Sequence, residues 1–367
     1  MGIIFLIVVI LIVLARYTLF SDYSEYSQKK FLIFSGVIII LLFSIRNAEI
    51  ELGSDLNNYY RLYCRAIEST SLTVFLDINP FEKGYLVLNW LLSRIIKWPQ
   101  FILFFQSAFC ISVTLRFIYK YSQNLLISVL GFMSLGLMQF YLTGFRQSIA
   151  IAICLIALEF AEKRKIVKFI LLVTLATSIH QTSIIFAIVY ILMKIPVTKF
   201  SVIIELFAVL ILAQIVPNLI VIGNDIFEKE YAGIFTGNSM GGLINLFISA
   251  VVLGLMYLRL YLNKGKNASI KNKILCRKGP KINKYYINYK LMPLLILGTG
   301  FYAMRYQALV LERISLYFTP TLFILLPQVI DVMFEEKSKK ILRIIILVGM
   351  IFLGYWRLRG FPYQTIL

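Results

Sequence analysis

The sequence contains few of the residues that bind metal ions or form disulfides. It has one histidine, and its four cysteines, Cys64, Cys110, Cys154 and Cys276, are scattered without a CxxC pair or a metal-ligand spacing. A structural zinc site needs four cysteine or histidine ligands at characteristic spacings. A single histidine without a cluster of carboxylates therefore argues against a protein-bound metal ion. We interpret the cysteines as small apolar residues, and we predict no metal and no cofactor.

Charged residues are also scarce. They make up 15% of the chain, against 60% hydrophobic residues, and the mean hydropathy is +0.83. This composition cannot cover a water-soluble surface, so it predicts an all-α polytopic integral membrane protein. No polar stretch is long enough to fold separately, and we therefore predict a single transmembrane domain over residues 1–367.

The net charge of +19 would suggest a nucleic-acid partner in a soluble protein. Here the basic residues lie in short loops between apolar runs, where lysine and arginine set membrane topology. We therefore predict no nucleic-acid partner.

Apolar runs predict the membrane-spanning helices. A bilayer core requires roughly 20 helical residues. Together with ambiguous stretches, the runs predict a bundle of about 10–12 membrane segments. No heptad, low-complexity tract or convincing inverted repeat of the transporter kind is present. The predicted spans are residues 2–20, 31–45, 101–119, 124–142, 144–161, 200–218, 242–261, 289–304, 314–331 and 341–356.

Three basic loops fix the predicted orientation. They are residues 163–168, the pair Lys194 and Lys199, and the long run 262–290, and the positive-inside rule places all of them in the cytoplasm. Residues 167–194 must then enter and leave the membrane from that side. They form two apolar halves, broken near residues 178–183, and each half of about 13 residues reaches about 20 Å. Two interpretations remain open, a pair of short spans or a re-entrant hairpin.

With the basic loops in the cytoplasm, the number of membrane crossings places a long loop, residues 46–100, on the outer side. An amphipathic run at 81–97 in this loop predicts a juxtamembrane or re-entrant helix. The start of the helix at residues 144–147 and the connection at 304–313 fall on that side too. Polar and ionisable residues thus gather on the face opposite the basic loops. We predict a cleft there, which includes Arg46 at the start of the loop.

Asp55 follows Gly53 and Ser54, and this turn predicts the start of a helix. One interpretation is a helix cap. The other is a carboxylate at a water-membrane cleft that takes a proton from an attacking hydroxyl. Tyr59 and Tyr60 follow, and their rings are suited to stacking on a sugar, although tyrosines are common at membrane interfaces.

Arg146 begins a helix whose small residues at a four-residue spacing favour close helix packing. Its guanidinium either extends to the membrane surface or binds phosphate oxygens bidentately. Gln147 is placed to hydrogen-bond the same ligand. His180, surrounded by hydroxyl residues in an apolar stretch, is either a satisfied core residue or a base, acid or phosphate donor in a polar cavity.

The region after residue 300 holds a second group of candidates. Arg305 and Arg313 share a helical face if the segment between them is one continuous helix, and Tyr317 follows. Two arginines and a tyrosine suit either a diphosphate ligand or an aromatic belt with anchoring arginines. Glu82 is either a surface charge beside Lys83 or a second carboxylate of the outer loop.

These pieces, in their order and spacing along nearly the whole chain, resemble the EpsG-like, Wzy-type family of bacterial polysaccharide polymerases. The matching pieces are Arg46-Asn47, Gly53-Ser54-Asp55 with Asn58-Tyr59-Tyr60, Phe81-Glu82-Lys83-Gly84-Tyr85, Phe145-Arg146-Gln147-Ser148-Ile149-Ala150, Ser178-Ile179-His180-Gln181-Thr182-Ser183 and Glu312-Arg313-Ile314-Ser315-Leu316-Tyr317-Phe318.

The resemblance implies an enzyme that joins repeat units carried on undecaprenyl diphosphate at the outer face of the bacterial cytoplasmic membrane, to make capsule, exopolysaccharide or O-antigen. It implies membrane lipid, a chain-length regulator and a flippase as further partners. Such proteins are similar to membrane glycosyltransferases of the C-type fold, which commonly carry a carboxylate in the first long outer loop. Asp55 lies in such a loop, although two apolar segments precede it here instead of one.

In that chemistry, Asp55 is the first candidate base and His180 the second. Arg146, Arg305 and Arg313 supply positive charge for the departing diphosphate. Three alternatives remain open. A flippase or transporter for lipid-linked oligosaccharide needs the arginines without a base, a ligase moves the glycan to another acceptor, and an acyltransferase needs a histidine near its acyl donor. The concentration of polar residues on one face favours an enzyme over a flippase.

Overall fold

The computed structural model describes residues 2–19, 24–48, 55–227, 240–262 and 287–358. Within these ranges the protein consists of seventeen α-helices and three short 3-10 helices, at Gln181–Ala187, Tyr289–Leu291 and Met304–Tyr306, with no β-strand. The all-α prediction is confirmed. The helices are α1 Gly2–Thr18, α2 Glu25–Ser44, α3 Asp55–Glu68, α4 Leu72–Ile78, α5 Lys83–Ile95, α6 Phe101–Tyr121, α7 Leu125–Ser134, α8 Leu137–Thr143, α9 Phe145–Glu162, α10 Ile166–Ile179, α11 Ile188–Leu192, α12 Lys199–Phe227, α13 Met240–Leu262, α14 Met292–Ala303, α15 Leu309–Ser315, α16 Pro320–Met333 and α17 Glu336–Leu358.

Among the residues that the structure describes, four helices are long and apolar enough to cross a membrane: α2, α6, the Lys199–Val216 part of α12 and the Gly242–Leu262 part of α13. The pair α7 and α8 is a fifth candidate, bent by 49°. The predicted span 124–142 is therefore two helices instead of one. The reason is Gly136, whose φ of +96° is a left-handed conformation that ends the first helix and that glycine adopts without strain.

The chain forms two compact units. The first unit comprises Met1–Lys120, Phe132–Ala187 and Met350–Leu367, and the second comprises Tyr121–Gly131 and Ile188–Gly349. In the first unit α9 is buried along most of its length and packs along α10. Its small residues Ala150, Cys154 and Ala157 are fully buried, as the four-residue spacing predicted.

The predicted break near residues 178–183 is present. Helix α10 ends at Ile179, and His180 has an extended backbone with φ −151° and ψ 114°. A 3-10 helix then runs over Gln181–Ala187 and leads to α11. Helix α5 packs against α10.

The predicted outer loop, residues 46–100, carries α3, α4 and α5. Tyr63 of α3 donates a hydrogen bond to the carbonyl of Ile96 at 2.9 Å, and Ser93 of α5 donates to the carbonyl of Ala66 at 3.1 Å. These contacts hold α3 beside α5. The amphipathic run predicted at 81–97 thus contains a helix, and a candidate residue, Glu82, immediately precedes its first residue.

Candidate acid–base site in the first unit

Three of the predicted residues meet in the first unit: Glu82, Arg146 and His180. One carboxylate oxygen of Glu82, Oε2, accepts a short charged hydrogen bond from Nη1 of Arg146. The other, Oε1, lies 3.2 Å from Nδ1 of His180 and 3.5 Å from the backbone nitrogen of Gln181. Glu82 therefore bridges the arginine and the histidine, and we refer to the three residues as the Glu82 cluster.

Each member of the Glu82 cluster lies at a helix end. Glu82 precedes the first residue of α5 in an extended conformation. Arg146 is the second residue of α9, and His180 follows the last residue of α10. Because helix ends carry side chains out of the regular helical packing, three separate helices bring these side chains to one point.

A glycine makes the approach of α5 to α10 possible. A Cβ atom on Gly84 would lie 2.6 Å from the backbone oxygen of Ser178 and 2.3 Å from its Oγ. No side chain fits at that distance, and a backbone atom cannot rotate away as a side chain does. Gly84 therefore sets the separation between the turn that carries Glu82 and the helix end that carries His180.

The carboxylate of Glu82 is strongly stabilised in its charged form. Burial by itself raises its pKa, but the hydrogen bond with His180 and the charge of Arg146 outweigh burial and lower the pKa to about 2. An ionised carboxylate only accepts hydrogen bonds, so Nδ1 of His180 carries the proton that faces it. In neutral His180 the lone pair then lies on Nε2.

The second ring nitrogen of His180 is an exception to the usual satisfaction of buried polar atoms. Nε2 is buried and makes no hydrogen bond with any residue that the structure describes. A buried polar atom without a hydrogen-bond partner is uncommon in native proteins, and a catalytic role is one explanation for it. The Glu82 cluster thus has an oriented histidine with one nitrogen available as a base.

Aromatic side chains enclose Arg146. Its guanidinium carbon lies 4.8 Å from the centre of the Phe81 ring, and Tyr59 hydrogen-bonds to it. The Tyr59 ring stacks on Phe145 with centres 5.0 Å apart and an angle of 8°. Tyr59 is buried, so its contribution in this structure is to hold Arg146 through its hydroxyl group.

Four further predicted residues belong to the first unit. Arg46 is 1% exposed and donates a hydrogen bond to the carbonyl of Leu142. Gln147 is buried on α9. Tyr60 is half-buried on α3, and Asp55 is exposed at the first position of the same helix. Among the described residues, the Asp55 carboxylate forms no hydrogen bond or ion pair with the Glu82 cluster.

Arg305 is the most deeply buried of the predicted residues in the second unit. It is 0% exposed, and it donates hydrogen bonds to the hydroxyl groups of Tyr302 and, at 2.9 Å, Tyr306. The centres of the two rings lie 4.7 and 4.8 Å from its guanidinium carbon. A Cβ atom on Gly242 would overlap this guanidinium, so the absent side chain of Gly242 makes room for Arg305.

The shared helical face predicted for Arg305 and Arg313 is not formed. Ala308 is extended, with φ −160° and ψ 141°, and it separates the 3-10 helix Met304–Tyr306 from α15. Arg305 is consequently buried while Arg313 is exposed, and Tyr317, beyond the end of α15, is buried. The predicted start of a span at residue 314 is also wrong, because Pro320 begins α16.

Two glycines that matter for these sites were missed from the sequence, Gly84 and Gly242. The presence of Gly84 within the Phe81-Glu82-Lys83-Gly84-Tyr85 piece was the available signal, whereas nothing in the sequence around Gly242 indicated its contact with Arg305. The part of the chain that the structure describes contains no group of three histidine, cysteine, aspartate or glutamate side chains able to hold a metal ion.

The fold and the site together define an all-α protein with several helices long and apolar enough to cross a membrane and a half-buried cluster of a carboxylate, an arginine and a histidine. The chain belongs to the EpsG family, whose family model matches residues 29–365, and this family is linked to polysaccharide biosynthesis. The predicted family is confirmed. No curated protein and no solved structure matches the chain.

Proposed function

We propose that the protein is a polysaccharide polymerase, a membrane glycosyltransferase that joins undecaprenyl-diphosphate-linked oligosaccharide repeat units at the outer face of the cytoplasmic membrane. Family membership supports the polysaccharide substrate class. The observation that carries the catalytic assignment is the contact between Glu82 and His180, which orients a histidine whose Nε2 has no hydrogen-bond partner among the described residues.

His180 is the base in this proposal. Its Nε2 removes the proton of an acceptor sugar hydroxyl as that oxygen forms a bond to the anomeric carbon of the donor. The bond from that carbon to the diphosphate oxygen breaks, and its electron pair leaves with the lipid diphosphate. The imidazolium that forms is stabilised by the carboxylate of Glu82, in the manner of a carboxylate that supports a catalytic histidine.

Arg146 supplies positive charge for the departing diphosphate. Its side chain is fixed by Glu82, Tyr59 and the face of Phe81, so little reorganisation is needed when negative charge develops. Its Nε makes no hydrogen bond within the described residues and remains a donor for an oxyanion. A planar guanidinium suits phosphate oxygens better than an ammonium group does.

The orientation follows from α9. Arg146 lies at its start, and the basic residues 163–165 follow its end. Eighteen helical residues span about 27 Å, close to the thickness of a bilayer core. Because basic loops remain in the cytoplasm, the Glu82 cluster faces outward. In the same proposal the shorter apolar helices also cross the membrane, which gives about 10–12 segments and a fold like that of the C-type glycosyltransferases.

The test is polymerisation by the purified protein in liposomes with a lipid-linked repeat unit, followed as chain length on a gel. We expect a ladder that disappears in His180→Ala and Arg146→Ala. Transfer only to an acceptor without lipid would indicate a ligase, and movement of the substrate across the bilayer without elongation would indicate a flippase. Loss of the ladder in Asp55→Ala, with an intact ladder in His180→Ala, would assign the base to Asp55 instead.

A further inference from the structure

Glu205 is a carboxylic acid inside an apolar helix and has no part in the proposed reaction. It lies in the Lys199–Val216 stretch of α12, which is long and apolar enough to cross a membrane. Lys199 marks the polar end of that stretch, and its ammonium lies 4.7 Å from the ring centre of Tyr261 at the end of α13. Six residues further along α12, Glu205 lies about 9 Å deeper.

The side chain of Glu205 lies on the inward face of α12. The buried and half-buried positions between residues 200 and 216 recur every three to four residues. They are Ser201, Val202, Glu205, Val209, Leu212, Ala213 and Val216. This spacing describes one helix face. It packs on α14, because a Cβ atom on Gly300 of that helix would lie 2.4 Å from a methyl group of Val209. Glu205 is one turn away on the same face.

No group of the described structure compensates a charge on Glu205. Its Oε1 is buried without a hydrogen-bond partner among the described residues. The charged residues of α12 and α13 nearest to it are Lys199 and Arg259, and neither forms an ion pair with it. The other titratable groups of α13 and α14 are Tyr257, Tyr261 and Tyr302.

A carboxylate in such surroundings is costly, and the neutral acid is favoured. The first unit shows the opposite case. Glu159 is also buried, but its Oε2 lies 3.2 Å from Arg116 and 3.4 Å from Lys120, so its charge is paired. Ionisable groups inside membrane proteins commonly mark proton or ion sites, whereas paired charges at helix ends commonly serve structure.

We propose that Glu205 is a proton-binding site within the membrane-spanning part of the second unit, open to modification by a lipid-soluble carbodiimide. The inference is independent of the proposed function. In the modification, the acid oxygen bonds to the central carbon of the carbodiimide and the acid proton moves to a nitrogen. The acyl group then migrates to nitrogen, so the stable product gains the mass of one reagent molecule and nothing leaves.

The experiment treats the full-length protein in liposomes with dicyclohexylcarbodiimide and locates the adduct by mass spectrometry of peptides. We expect modification of Glu205 at pH 7, a lower yield as the pH is raised, and no adduct at Glu159. A water-soluble carbodiimide should leave Glu205 unmodified. Glu205→Gln, which resembles the neutral acid, should lose the adduct and keep the thermal unfolding midpoint of the natural sequence.

Glu159 is the internal control for folding, because an unfolded chain would expose and modify it as well. Absence of an adduct on Glu205 in protein whose Glu159 is protected would overturn the proposal. Protection of Glu205 by added sodium at constant pH would also overturn it, since the site would then bind a metal cation in preference to a proton.

Discussion

Two of the candidate arginines, one in each unit, are held in different ways. Arg146 in the first unit is paired with the carboxylate of Glu82 and shares that carboxylate with His180. Arg305 in the second unit donates to the hydroxyl groups of Tyr302 and Tyr306, with Glu312 near enough to interact electrostatically. The first arrangement places an acid, a base and a cation in one contact. The second fixes a cation between two neutral donors and acceptors.

The different contacts of Arg146 and Arg305 indicate that the two sites have different functions. Proton transfer needs a histidine of defined tautomer, which Glu82 provides in the first unit. A guanidinium bound to phenol groups keeps its full positive charge, which suits the binding of an anion. We therefore expect changes in the Glu82 cluster to act on the rate of the chemical step and changes around Arg305 to act on substrate affinity. Substitutions in the two units test this division.

Glu82→Ala should have the largest effect, because it removes the partner of both Arg146 and His180. Breaking a fully buried ion pair from one side costs about 3–5 kcal/mol of unfolding free energy, and we expect a smaller cost here because the Arg146 side chain is 25% exposed. We expect a lower thermal unfolding midpoint and no detectable ladder. Lys83→Ala, at an exposed neighbour, is the control. If Glu82→Ala and Arg146→Ala destabilise independently, so that the double variant loses the sum of both, the two side chains do not act as a pair.

His180→Ala should lower the turnover rate by about 100- to 10,000-fold, the usual contribution of a general base, with little change in KM. Its expected effect on the unfolding midpoint is small, because His180 is one of two partners of a carboxylate that Arg146 still neutralises. The rate should also lose part of its dependence on pH. A variant with normal turnover and a raised KM would show that His180 binds substrate without transferring a proton.

Gly84→Ala and Gly242→Ala compare the two units by adding a methyl group where a glycine allows a close approach. Overpacking costs about 1–3 kcal/mol, and we expect the upper end for Gly84, where the added methyl meets the backbone of Ser178. At Gly242 it meets the end of the Arg305 side chain, which can move. Gly84→Ala should lower turnover, and Gly242→Ala should raise KM. Gly254→Ala is the control, since nothing lies within 4 Å of its added Cβ atom.

Arg305→Lys should raise KM by about tenfold and leave turnover nearly unchanged. A lysine cannot donate to Tyr302 and Tyr306 together in the geometry of the planar guanidinium, and each lost hydrogen bond costs about 0.5–1.5 kcal/mol. Arg313→Lys, at an exposed position, should have a smaller effect. A loss of turnover in Arg305→Lys that matches His180→Ala would remove the distinction between the two units.

Much of the helical framework was predictable because it depends on local hydrophobic runs. The predicted span 101–119 is α6, Phe101–Tyr121, and the predicted break near 178–183 occurs at His180. The break in the 304–313 connection was not predictable, since Ala308 carries no turn signal. The signals that worked, hydrophobicity and helix punctuation, act over a few residues.

The contacts of the candidate site, in contrast, join residues that are far apart in the sequence. Arg146 is 64 residues from Glu82 in the chain, and His180 is 98 residues from it. Their meeting depends on how α5, α9 and α10 pack, and no local pattern encodes that arrangement. All three residues were therefore recognisable as candidates from the sequence. Glu82, however, could be either a surface charge or a second carboxylate of the outer loop, and nothing in the sequence connected it with Arg146 and His180.

The smallest expected effect concerns the contribution of the Glu82 charge to stability as the pH is lowered. The pKa of Glu82 is lowered from its ordinary value of 4.5 to about 2 in the folded protein. A carboxyl group with a lowered pKa stabilises the fold fully above its unfolded pKa, and that contribution is lost as the pH falls toward the folded pKa. The difference in unfolding midpoint between the natural sequence and Glu82→Gln should thus be constant from pH 8 to pH 5 and shrink below about pH 4.5. A difference that instead stays constant down to pH 3 would mean that the charge of Glu82 does not stabilise the fold, and the first unit would then resemble the second in having a cation as its controlling group.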